Sequence, residues 1–309
     1  MGRISLSLEV LALSFEASLD ILKNFLCKIA ISIFDVLQES LLTDLQELAR
    51  PRHVHWDVLG LMTVRNFIKN RLSQYGQVIE HCFESSFGEG INYIIKIPGQ
   101  NKQLDPLLIG AHYDGPPQSI GADDNASGVA ALLSLAQFFS ETTPKRTIWL
   151  IAFDQEEWGM MGSKALAKEL KESNQKLKLM ISLEMLAYTS EKQDYPLAAM
   201  KKLYGDKGDF IALVANTGCA QMLPGLAKKI GNYVPTKVLP IPLKGDVLPD
   251  SRLSDHSSFW DQGYNAMMIT DTSFLRNPHY HEPSDTVETL DLEFFSKVVE
   301  GLVDSLSML

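Results

Sequence analysis

The chain is poor in the features that would assign it quickly. It has three cysteines in 309 residues, Cys27, Cys82 and Cys219, at unrelated spacings. They form no CxxC pair and no even framework, which excludes a disulfide scaffold and favours a reducing compartment. No run of about 18 uncharged apolar residues occurs, so no transmembrane helix is predicted. Positive charge is scarce: 28 Lys and Arg stand against 38 Asp and Glu, for a net charge of −10 and a pI near 5.2. That balance argues against nucleic-acid partners. The densest basic stretch, Lys171, Lys176 and Lys178, is broken by Glu172 and reads as a solvated helix end. The 20 Gly and 14 Pro follow no period, which excludes collagen-like and low-complexity chains. A secretory leader is not evident either. Arg3 is the only early positive charge, and Glu9, Glu16 and Asp20 interrupt the apolar residues. A cytoplasmic location is the expectation, or a secreted or periplasmic one if the true start lies upstream.

What is present is a globular composition, 45% hydrophobic. Phe15, Leu19, Leu22, Leu26, Ile29, Ile33 and Val36 recur at alternating steps of four and three, which predicts a helix with one apolar stripe. Residues 1–40 therefore read as a helical extension that packs on the body or forms a homo-oligomer contact, and residues 41–309 as a catalytic domain. Within 41–309, residues 41–76 look helical with a break near Pro51. Strands are predicted at 92–97, 106–111, 147–153, 179–185, 210–215, 237–241 and 266–270. Helices are predicted from Asn125 to Phe139, around 162–171 and from Leu292 to Leu306, with a surface loop or insertion at 187–208. Alternating strands and helices, with several strands apolar throughout, predict an α/β fold: one three-layer domain whose mixed, mostly parallel twisted sheet carries helices on both faces.

Five segments at strand ends carry the chemistry: His112-Tyr113-Asp114, Gly121–Gly128 (GADDNASG), Asp154–Gly159 (DQEEWG), Leu183-Glu184-Met185 and Asn277–His281 (NPHYH). Any one alone is ordinary, a structural histidine or a helix N-cap. Together they bring two histidines and at least three carboxylates to one sheet edge, where open α/β sheets bind ligands. Carboxylates that dense repel one another unless cations accompany them, and a mixed N/O donor set suits Zn²⁺.

The motifs, their order and their separations resemble peptidase family M28, the co-catalytic di-zinc aminopeptidases related to glutamate carboxypeptidases and glutaminyl cyclases. The resemblance runs from about Leu41 to the C-terminus and implies the zinc-aminopeptidase fold and two Zn²⁺ per chain. It implies that His112 and Glu184 hold one zinc, that Glu157 and His281 hold the other, and that Asp124 bridges both. Glu156 matches the general base, Asp114 the carboxylate that orients the His112 imidazole, and Tyr280 a phenol that steadies the oxyanion. The implied reaction is removal of N-terminal residues from peptides by a hydroxide held between the metals. A glutaminyl cyclase or a carboxypeptidase-like hydrolase is the alternative, and Glu184, where many of the aminopeptidases have Asp, leaves the substrate class open. Asp255 and His256 are expected as pocket wall or as support behind the ligands, His279 as a loop residue, and Arg252 and Arg276 as partners in structural salt bridges, with contact to a substrate carboxylate as the alternative. His53, His55 and His81 carry no chemical role.

Overall fold

The computed structural model describes residues 35–309. The apolar stripe between Phe15 and Ile33, and any contact it makes, lies outside the described residues. Eight strands form one sheet: β1 (Ile79–Ser85), β2 (Gly88–Ile97), β3 (Leu107–His112), β4 (Ile148–Phe153), β5 (Leu179–Glu184), β6 (Ile211–Asn216), β7 (Thr236–Ile241) and β8 (Ala266–Thr270). Their order across the sheet is β1-β2-β4-β3-β5-β8-β6-β7. The middle four, β4-β3-β5-β8, are mutually parallel, while β1, β2 and β6 pair antiparallel to their inner neighbours.

Those middle strands are buried at every position. That is why they read as unbroken apolar runs, because helices cover both faces and neither set of alternate side chains meets water. Seven strands lie where the sequence predicts them. The exception is β1, whose run IEHCFES is mostly polar because it sits at the sheet edge and is largely exposed.

The helices are α1 (described over residues 35–48), α2 (Val58–Ser73), α3 (Gly128–Glu141), α4 (Met161–Glu172), α5 (Ala198–Tyr204), α6 (Leu223–Ile230), α7 (His256–Asp261) and α8 (Leu292–Leu306). On one face, Leu108, Ile151, Phe153, Met180 and Met268 pack against Leu166 and Leu170 of α4 and Phe259 and Trp260 of α7. On the other, α3 lies along β3, β4 and β5 and is flanked by α2 and α8, with α6 against α8 and β7. The architecture is thus the expected three-layer α/β sandwich. Leu41–Leu309 forms one compact unit.

Two expectations are corrected. The helix predicted from Asn125 begins at Gly128, after one irregular turn over Ala122–Ser127. Segment 187–208 is not a simple surface loop: Gln193 is buried, Tyr195 and Tyr204 are half-buried, and α5 closes it. Tyr204 donates from its hydroxyl to the Val238 carbonyl at 2.9 Å, which pins α5 over β7. Over β6 and β7, α5 and residues 248–253 leave a cavity of about 300 Å³ that runs to the ends of the parallel strands.

Candidate active site

Strand β3 has β4 on one side and β5 on the other, so the chain reverses direction across the sheet there and opens a crevice at the strand C-termini. The predicted residues arrive in it from separate elements. His112 ends β3 and Glu184 ends β5. Asp124 lies in the irregular turn before α3, Glu156 and Glu157 follow β4, and Tyr280 and His281 belong to the loop beyond β8.

The five candidate ligands form two groups that share one carboxylate. His112 Nε2 lies 3.3 Å from Asp124 Oδ1 and 3.6 Å from Glu184 Oε1. His281 Nε2 lies 3.1 Å from Asp124 Oδ2 and 3.2 Å from Glu157 Oε2. Asp124 therefore turns one oxygen to each group, and within each group the candidate donor atoms lie within 4.8 Å of one another. Asp124 Oδ1, Glu157 Oε1 and His112 Nδ1 are buried without a hydrogen-bond partner. Buried oxygens of that kind are costly unless something positive coordinates them, so these residues fit a pair of cations.

The surrounding hydrogen bonds hold the two groups in register. Arg52, fully buried, donates from Nη2 to the carbonyls of Gly121 and Asp124 at 2.8 and 3.0 Å and from Nε to that of Tyr113 at 2.9 Å. Asp285 accepts from the backbone N–H groups of Asp123 and Asp124. Asn125 joins this turn to the end of β5, donating to Leu183 O and accepting from Met185 N. Asp123 accepts from Asn277 Nδ2, which ties in the loop that bears His281. An added Cβ at Gly128 would come within 2.6 Å of Leu183 O, so α3 can start this close to β5 only with glycine there. Asp114 accepts from the Glu156 and Glu157 N–H groups at 2.9 and 3.2 Å, and its Oδ1 lies 3.4 Å from His112 Nδ1. It anchors the Glu156-Glu157 turn as well as facing the imidazole.

Charge follows from this crowding. Burial opposes a proton on His112, yet Glu184, Glu156, Asp114 and Asp124 outweigh it and raise the imidazole well above its usual range. Burial likewise opposes His281, but its contacts with Asp124 and Glu157 lift it to about 10. Asp124 shows the reverse balance: burial disfavours its charge, and the two imidazoles still hold its carboxyl below the ordinary range. Glu157 is pushed up to about 7, first by burial and then by Asp124. Glu156 rises well above the carboxylate range because it is buried beside Glu184, Asp255 and Glu157. The crevice is a strongly negative cavity whose histidines answer the carboxylates, the field a bound cation would see.

Other predicted residues fall in several places. Tyr280 lines the same cavity with its ring stacked on His281, centroids 3.8 Å apart. Asp255 and His256 are buried at the start of α7, and His256 Nε2 pairs with Ser251 O at 2.8 Å. The preceding residue, Ser254, donates from its hydroxyl to Glu184 Oε2 at 2.7 Å. No periodicity marks it. Arg252 pairs with Asp261 at 2.9 Å, as expected. Arg276 forms no such bridge. It donates to the Phe210 and Tyr188 carbonyls and to Gln193, and its guanidinium stacks 4.5 Å from the Phe210 ring centroid. His279 is exposed in its loop, against Ser284. His53 Nδ1 accepts two backbone N–H groups, and its ring packs with Trp56 and Trp158. Cys82 and Cys219 are free thiols.

A mixed eight-stranded sheet with helices on both faces, and with imidazoles and carboxylates collected where its parallel strands end, is the α/β fold of the zinc aminopeptidases. The chain belongs to peptidase family M28, whose family model matches residues 92–305. The uncharacterized protein YfbL of Escherichia coli K12 is 37% identical over 213 residues, covering 64% of this chain and 65% of that protein. The chain thus spans just under two thirds of that relative, and 8% of the vacuolar membrane protease of Kluyveromyces lactis that it also matches. The LapA aminopeptidase of Legionella pneumophila superposes with a TM-score of 0.68 at 20% identity, over 88% of this chain and 71% of that one. A glutaminyl cyclase from an Acidobacteriales bacterium gives 0.65 at 16% identity, over 89% and 94% of the two chains. Among the described residues no helix is long and apolar enough to cross a membrane.

Proposed function

We propose that the protein is a di-zinc aminopeptidase that removes N-terminal residues from peptides. The observation that carries this reading is the division of Asp124 between two histidine–carboxylate groups, with Glu156 beside them. His112, Glu184 and Asp124 would hold one zinc, and Asp124, Glu157 and His281 the other. Zinc bound there supplies Lewis acidity, lowering the pKa of a coordinated water and polarising a carbonyl.

The chain's own groups do the rest. Glu156 is the proton carrier: its buried carboxyl has a raised proton affinity, as a base that takes a proton from water and returns it to a departing amine requires. Asp114 fixes that base by holding the backbone of Glu156 and Glu157. Tyr280, packed on His281 at the cavity wall, would donate its hydroxyl hydrogen to an oxyanion, a role supported by the burial and nearby carboxylates that keep the phenol protonated. The cavity that extends from these groups over β6 and β7 takes the side chain of the substrate's first residue.

Glu156→Gln keeps the shape and every candidate ligand. The variant is expected to retain its zinc, measured by metal analysis, and to lose at least about 10²-fold in kcat on aminoacyl-anilides, the lower end of a general-base contribution. Full turnover by that variant would remove the assignment. Cyclisation of N-terminal Gln, with one zinc per chain and no anilide hydrolysis, would reassign the protein to the cyclase reaction.

A further inference from the structure

Strand pairing aligns four residues of the cavity wall in one row across the sheet. Glu184 on β5 pairs with Thr270 on β8, Thr270 with Ala212 on β6, and Ala212 with Lys237 on β7. All four line the cavity. With neighbouring strands about 4.8 Å apart, three steps separate the Glu184 and Lys237 backbones by about 14 Å. Between a candidate metal ligand at one end and a lysine at the other lie only the two short side chains Thr270 and Ala212. They form a trough floor. Along the trough, the adjacent row Met268–Val214–Leu239 makes an apolar wall.

The far end of this trough carries a lysine, Lys237. Lys237 forms no ion pair among the described residues, and its ammonium sits 5.9 Å from the Phe210 ring centroid. Arg276 stacks on the same ring at 4.5 Å, and one of its guanidinium nitrogens, Nη2, is buried without an acceptor. The Tyr195 hydroxyl, in the cavity wall, is also buried and unpaired. Of the carboxylates that line the cavity, Asp124, Glu156, Glu157 and Glu184 belong to the candidate centre; the remaining one, Asp250, is exposed and screened by solvent. An apolar slot that ends in a lysine without an ion pair and in a buried, unpaired phenol is built for a short aliphatic stem tipped with an anion.

We propose that Lys237, which shares the cavity wall with the unpaired Tyr195 hydroxyl, binds the side-chain carboxylate of an N-terminal glutamate, so that the preferred substrates are peptides that begin with Glu. This rests on the aminopeptidase reading, which places the scissile carbonyl at the Glu184 end of the row. From there a glutamate side chain extends over Thr270 and Ala212 toward a lysine that reaches back to meet it.

The test compares kcat/KM for Glu-, Met- and Lys-anilides in the zinc-loaded wild type, Lys237→Met and Lys237→Glu. Met matches Glu in length and lacks its charge. Ratios are taken within each protein, so any loss of folded enzyme cancels. The wild type is expected to prefer Glu over Met by about tenfold or more, the worth of one charge-assisted hydrogen bond. Lys237→Met is expected to lose that preference, and Lys237→Glu to shift it toward the Lys substrate. A wild type that cleaves Met better than Glu, or a Glu:Met ratio untouched by Lys237→Met, overturns the inference and leaves the aminopeptidase reading standing. Failure to hydrolyse any of the three anilides overturns both.

Discussion

The two halves of the candidate centre differ in what holds them. The inner half, His112 and Glu184, sits on the last residues of two adjacent buried strands, where the residues are 1% and 6% exposed. The outer half, Glu157 and His281, is carried by turns, and the His281 side chain is 40% exposed. His281 also adopts a left-handed backbone (φ 59°), outside the regular ladder. The same donor types thus meet Asp124 from a rigid side and from a solvent-facing side. The inner half is a property of the sheet. The outer half is a property of loops that the sheet and the Asp123–Asn277 contact position.

Replacing the shared residue breaks the comparison outright. Asp124→Asn is expected to disable both halves together, with activity falling by about 10³-fold, ~4 kcal/mol of barrier, and with metal content reduced at both positions. Replacing one histidine at a time sharpens it. In metal-free protein, His112→Ala leaves buried carboxylates facing one another and is expected to lower unfolding stability by roughly 3 kcal/mol. His281→Ala at the wetter half is expected to cost about 1 kcal/mol or less. Denaturant midpoints of the two variants check the order, and equal losses would deny that the halves differ. The smallest effect is reserved for Ser254→Ala, which frees one oxygen of Glu184. It is expected to weaken zinc at the inner half by about tenfold without changing the outer half, as removal of a ligand's supporting hydrogen bond does elsewhere. Competition with a chelator measures it.

The sequence made the inner half easier to read than its supports. Runs such as LLIGAH and LMISLE are buried on both sides and announce strands that end in His112 and Glu184, because burial on two faces leaves an apolar signature. Three polar side chains of the GADDNASG stretch serve three purposes: Asp123 holds the loop of His281, Asp124 faces both groups, and Asn125 clasps β5. A linear pattern ranks such neighbours only by resemblance. Ser254, Arg52 and Asp285 were illegible for a related reason. They act through backbone groups or through one long-range contact, and no periodicity encodes either. Lys237 is a plainer case. Its place opposite the centre follows from register across three strand pairs, which a reading of local periodicity does not contain.

Under the proposed function, Asp124 divides one cavity into two unlike metal positions. Zinc titration of metal-stripped protein, followed by calorimetry together with tryptophan fluorescence, tests it most directly, since Trp158 adjoins the outer candidate ligand Glu157 in the chain. Two equivalents per chain are expected, the first bound more tightly and with little change in Trp158 emission, the second more weakly and with a clear one. A titration that ends at a single equivalent, or two equivalents indistinguishable in affinity and fluorescence, would contradict it.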